Sequence, residues 1–192
     1  SDYDQVAAHN EETTEQAAED LAGALTTGLI SIRTGLEKAD QVLGVENTLL
    51  NDEYEDFVGV IDSTTISSAH DAYVEAADAR DRAEDAVLVL TTTSSSADVL
   101  ATYNLLDIAF DQVLETLLYT SRVLDNSISQ SGTFTNEDLV NLKSVIATQR
   151  ATTAGDFASL VSAKQMYDTV VREAENRYDD ATNALALAKA NQ

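Results

Sequence analysis

Two histidines, His9 and His70, are the only side chains in this sequence whose ordinary pKa suits proton transfer near neutral pH. Hydrolytic or acyl-transfer chemistry needs such a base beside a nucleophile or a metal. Neither histidine has that company. His9 lies in a polar helix start and His70 beside Asp71, so both read as solvated surface residues. The sequence contains no HExxH motif, no nucleophile elbow and no glycine-rich phosphate loop. Cysteine is absent, which removes disulfides, thiolate zinc sites and cysteine nucleophiles together.

Cation binding is the second chemistry to consider. Asn51, Asp52, Glu53, Glu55 and Asp56 crowd hard oxygen donors into one short segment. Their spacing lacks the Gly and the terminal Glu of an EF-hand loop, so the segment reads as a solvated acidic loop. Asp52, Glu53, Glu55 and Asp56 remain the only cation candidates. Arg80 and Arg82, set among Asp78, Asp81, Glu84 and Asp85, read as exposed ion pairs on a helix face. Tyr167 and Tyr178 fall on a helical seam and read as core aromatics. No catalytic residue, metal or cofactor is expected.

The elements that must carry these residues follow from composition. The 192 residues hold 34 Asp plus Glu against 11 Lys plus Arg, a formal net charge of −23. A surface this acidic repels phosphate, and no basic stripe is visible, so nucleic acid is excluded as a partner. No run approaches the ~18 apolar residues of a membrane span and no charged-then-apolar leader opens the chain. Any membrane attachment is therefore expected through regions outside this sequence. The acidic excess fits a salt-rich habitat, where screening softens self-repulsion, or simply a solvated exterior. With Pro 0 and Gly 7, the chain has few residues that end helices, and long helices are the economical answer.

Periodicity predicts four of them, at about 3–43, 64–90, 96–126 and 136–190. In the first, Leu21, Leu25, Leu29, Ile32, Leu36, Ala39 and Leu43 recur in steps of three and four, and Gly44 follows where a left-handed residue can close the last turn. The connection 45–62 is an acidic loop folded back on the bundle, with one short helical turn. Hydroxyls at Ser63 to Thr65 cap the second helix, whose seam is Ala69, Ala76, Ala83 and Leu90. The third carries the strongest stripe: Val99, Tyr103, Leu106, Phe110, Val113 and Leu117. Thr135 and Asp138 form a capping box that opens the last helix, which would run ~80 Å with only Gly155 to bend it. Its only comparable partner is the first helix. The expected fold is all-α: an elongated antiparallel hairpin with a two-helix stalk at the terminal end and a four-helix bundle at the other. The sequence starts at Ser1 and stops within ALALAKANQ, and it reads as a piece of a longer polypeptide.

The stretch LVSAKQMYDTVVREAENRYDDATNALALAKANQ, residues 160–192, resembles the α-helical hairpin arm of HlyD-type periplasmic adaptors, or membrane fusion proteins. GVENTLLNDEYEDFVG, residues 44–59, and DNSISQSGTFTNEDL, residues 125–139, are similar to the enlarged helical insertions of some bacterial adaptors. The resemblance implies a non-enzymatic spacer and docking arm in an efflux or secretion assembly, outside the cytoplasm, with transporter subunits or further copies as partners. Two features depart from a plain adaptor arm: four helices instead of one hairpin, and no Arg, Leu, Ser pattern for a channel at the tip. Two other readings compete. One is a chemoreceptor-like sensor ectodomain; the other is a virion or cell-surface structural protein from a salt-rich environment.

Overall fold

The computed structural model describes residues 2–91 and 94–190. Four helices run in order: α1 (Asp2–Leu43), α2 (Thr64–Leu88), α3 (Ser96–Asp125) and α4 (Asn136–Ala190). Among the described residues there is no named strand. A single 3-10 turn, Glu55–Phe57, interrupts the loop after α1, and an isolated bridge between Gln130 and Phe134 closes the loop after α3.

The helix ends follow local chemistry. Gly44 takes φ 62 and its N–H bonds Asp40 O at 2.8 Å, which ends α1. Ser95 and Asp98 form a reciprocal capping box on α3, and Thr135 and Asp138 do the same on α4. Those hydrogen bonds from Thr135 hold the exposed Asp138 carboxyl below the usual range. The expected hydroxyl cap on α2 is corrected: Ser63 makes no side-chain cap and is already in helical conformation. Asp62 Oδ1 performs that role, accepting from the Thr64 N–H at 3.1 Å. The helix also stops at Leu88 rather than at residue 90, because Leu90 N–H bonds Val87 O in a tightened turn.

α1 and α4 lie antiparallel: Tyr3 meets Tyr178, Asn10 Nδ2 donates to Ala174 O at 2.8 Å, and Gly35 faces Thr153. α2 and α3 form a second antiparallel pair, with Thr116 donating to Ala72 O at 3.0 Å. α2 and α4 occupy opposite corners, while α1 and α3 approach across the other diagonal. That approach has a visible cause. Gly28 and Gly35, one heptad apart on α1, leave room for Phe110, Leu106 and Val113 of α3. A Cβ on Gly35 would lie 2.6 Å from Val113 Cγ1, whereas one on the exposed Gly23 would meet nothing within 4 Å.

Opposite responses to one substitution are therefore expected. Gly23→Ala should gain about 1 kcal/mol from helix propensity, and Gly35→Ala should lose about 1–3 kcal/mol from overpacking. Urea denaturation midpoints moving in the same direction for both variants would contradict this packing.

At the end of the α2–α3 hairpin, Val87, Leu90, Thr91, Ser94, Ser96 and Val99 stand beside residues 14–26 of α1. Beyond that level only α1 and α4 continue, as a two-helix stalk. Burial follows the step. The hydrophobic core on α1 starts at Leu21, and Ala174 is the last buried residue of α4. At ~1.5 Å per residue, the 55 residues of α4 span about 80 Å.

Candidate functional site

The end of the bundle away from the stalk is built from two loops, 44–63 and 126–135, that hold one another. Gly59 N–H donates to Ser127 Oγ at 2.9 Å, Ile61 N–H to Asn126 O at 2.9 Å, and Ile128 N–H to Phe57 O at 3.0 Å. Phe134, 1% exposed, is stacked on by Tyr54 (5.1 Å between ring centroids) and Phe57 (6.2 Å). The Tyr54 hydroxyl donates to Gln41 O, tying the loop to α1, and burial raises its pKa.

Asp40 anchors the loop start. Its carboxylate is 4% exposed and accepts from the N–H groups of Val45 (2.7 Å), Glu46 (2.9 Å) and Asn47 (3.1 Å). An acid near a helix C-terminus opposes the helix dipole, and three converging amides offset that opposition. Arg80 closes the same region from α2. It pairs with Glu46 at 2.9 Å and with Asp81 at 2.8 Å. Burial alone would lower the Arg80 pKa, but hydrogen bonds to Glu46 and Asp81 outweigh it and raise the value.

The sequence-derived candidates separate in space. Asn51 turns inward, with Nδ2 donating to Val42 O at 3.2 Å. Asp52, Glu53, Glu55 and Asp56 stay exposed. Among the described residues no group of three or more His, Cys, Asp or Glu is placed to hold a metal ion. His9 is exposed. His70, expected in solvent, is half-buried beside a cavity of about 190 Å³ lined by Glu55, Asn51 and aliphatic side chains. Arg80 is likewise not the exposed pair its neighbours suggested, at 17% side-chain exposure, whereas Arg82 pairs with Asp78 at 3.4 Å on the surface. Tyr167 is core at 4% exposure. Tyr178 is 46% exposed, and its hydroxyl lies 2.5 Å from that of Tyr3, which raises the Tyr3 pKa.

A polar cluster interrupts the α3–α4 seam. Lys164 Nζ is 2.5 Å from Asp168 and 5.7 Å from the Tyr103 ring centroid. Burial, then Asp111, raises the Asp107 pKa, and burial, then Asp107 and Asp168, raises that of Tyr103. These groups satisfy one another across the seam.

The tip leaves Leu49 (75% exposed), Ile61 (65%), Val60 and Ile128 in solvent, although its aromatics are sequestered. Such aliphatic side chains gathered at one end, among carboxylates, suit protein contact better than chemistry. Comparison with family models, curated proteins and solved structures gives no match to this chain. No helix of the described residues is long and apolar enough to cross a membrane.

Proposed function

We propose that the chain is a non-enzymatic spacer and docking arm of a transporter adaptor, held outside the cytoplasm and joined to the membrane through regions not in this sequence. The observation that carries this reading is the tip. Leu49, Val60, Ile61 and Ile128 are exposed there, set at the far end of α1 from its contact with Tyr178, roughly 60 Å along the helix. The tip loops are fixed by the Asp40 cap and the Phe134 stack, so the docking surface is preorganised. The resemblance of residues 160–192 to HlyD-type arms supplies the class of partner, subunits of an efflux or secretion assembly.

A sensor ectodomain is the second reading, favoured by the side-by-side passage of α1 and α4 at Tyr3 and Tyr178. One experiment separates the two. Photo-crosslinking side chains are placed at Leu49, Ile61 and Ile128, and at the exposed Asp71 and Glu75 as flank controls, in the full-length protein in its native envelope. An arm gives tip adducts with a transport subunit and few flank adducts. Adducts on the flank with none at the tip would overturn the reading.

A further inference from the structure

A cavity of about 540 Å³ opens at the step, where the α2–α3 hairpin ends against α1. Val87, Leu90 and Val99 give it an aliphatic wall on the hairpin, and Ala18, Ala22 and Gly23 line it from α1. Its volume falls in the range of sites that take small organic molecules. Gly23 has no packing reason within the chain. Gly28 and Gly35 make room for α3, but a Cβ on Gly23 would meet nothing within 4 Å. The helix therefore bears the ~1 kcal/mol propensity cost of a glycine that no neighbouring side chain requires, at a position that faces the cavity.

The polar groups of the lining select the class of molecule. Glu15 and Glu19 stand one turn apart on the α1 side, and among the described residues neither carboxylate has a hydrogen bond or ion pair. Like charges at that spacing repel. Thr14 and Thr26 donate their hydroxyl protons to Asn10 O at 2.8 Å and Ala22 O at 3.1 Å, which leaves acceptor lone pairs for the cavity. No described residue of the lining is Lys, Arg, His, Asn or Gln. Neither residues 1–32 nor residues 83–121, which supply the two walls, contain Lys or Arg. An anion is repelled by such a site, and a neutral apolar molecule leaves both carboxylates unmatched. A metal ion gains nothing from the aliphatic wall, and no group of three acidic or histidine ligands is placed for one among the described residues. We infer that the cavity binds a primary organic ammonium ion, with its N–H groups donating to Glu15 and Glu19 and its apolar body against Val87, Leu90 and Val99. Such a ligand bridges α1 and the end of the hairpin, and so stabilises the bundle at the step.

Tryptamine is a suitable probe, because it joins a primary ammonium to an apolar bicycle and the chain has no Trp, so indole fluorescence reports the probe alone. Anisotropy titrations in ~0.15 M salt, which screens diffuse attraction beyond about 8 Å, should show saturable binding to the 192-residue chain. Tryptophol, with a hydroxyl in place of the ammonium, should bind at least ~10-fold more weakly, and so should tryptamine to Glu15→Gln with Glu19→Gln. Asp71→Asn with Glu75→Gln removes the same charge from an exposed pair one turn apart on α2 and should change the affinity less than ~2-fold. Gly23→Leu should fill the cavity and lower tryptamine affinity at least ~10-fold, while its thermal midpoint, read by circular dichroism, stays at or above the parent value. Absence of saturable binding, equal affinity for tryptophol, equal losses from the α1 and α2 pairs, or parent-like binding by Gly23→Leu would each overturn the proposal.

Discussion

Phe110→Asp should abolish cooperative folding. Phe110 is 0% exposed, stacks on Phe157 with 5.1 Å between centroids, and lies against Gly28 of α1. It therefore joins α1, α3 and α4 at one level. Removing its burial costs about 3–5 kcal/mol, and an unpaired carboxylate in that position costs several more. Domains of this size hold only about 5–15 kcal/mol in total. The expected result is loss of the sharp thermal transition followed by circular dichroism, while Phe110→Leu, which keeps most of the volume, still melts cooperatively. A parent-like transition for Phe110→Asp would remove Phe110 from the core.

Asp40→Ala carries the second largest expected effect. The carboxylate is the common acceptor for the amides of residues 45, 46 and 47, and it is buried. Hydrogen bonds to a charged group contribute about 1.5–3 kcal/mol each, although the turn they hold is itself half-buried at Val45 and exposed at Glu46 and Asn47. Some of the freed amides will find water, so a loss of about 3 kcal/mol is expected, or roughly 6–12 °C in Tm for a chain of this length. Asp40→Asn keeps one acceptor and should lose less. Hydrogen exchange should quicken first at residues 45–47. A loss under about 0.5 kcal/mol would show that the loop does not depend on this carboxylate.

The two substitutions mark what was legible in the sequence and what was not. Phe110 was found from spacing alone, because a stripe in steps of three and four reports a buried helix face whatever it packs against. Gly44 and the Thr135–Asp138 box were legible for a related reason: their partners lie within a turn. Asp40 was not, since an acid in a last turn reads as a surface residue until the following loop is seen to fold back over it. The same holds for His70 and Arg80. Each has charged residues near it in sequence, but the first lines a cavity together with Ile66 and Val58, and Glu46 pairs with the second. The loop 45–62 was recognised as folded back, yet its spacing could not tell Tyr54 and Phe57, which turn in to Phe134, from Leu49 and Leu50, which face solvent. That distinction rests on hydrogen bonds between segments far apart in sequence, such as Gly59 to Ser127. The tip as a candidate docking surface was invisible until those segments were placed together. Gly28 and Gly35 show the limit in a helix: the heptad interval was present, but only the proximity of Val113 gives it a meaning.

The reading as an arm depends on length, and small-angle X-ray scattering tests length directly. At low concentration, a rod set by the 55-residue α4 should give a maximum dimension of about 80–90 Å and a radius of gyration near 23 Å. A chain of 192 residues folded as a compact globule would give a radius of gyration of about 16 Å. The larger value supports an arm that holds its tip away from its base; the smaller one would contradict it.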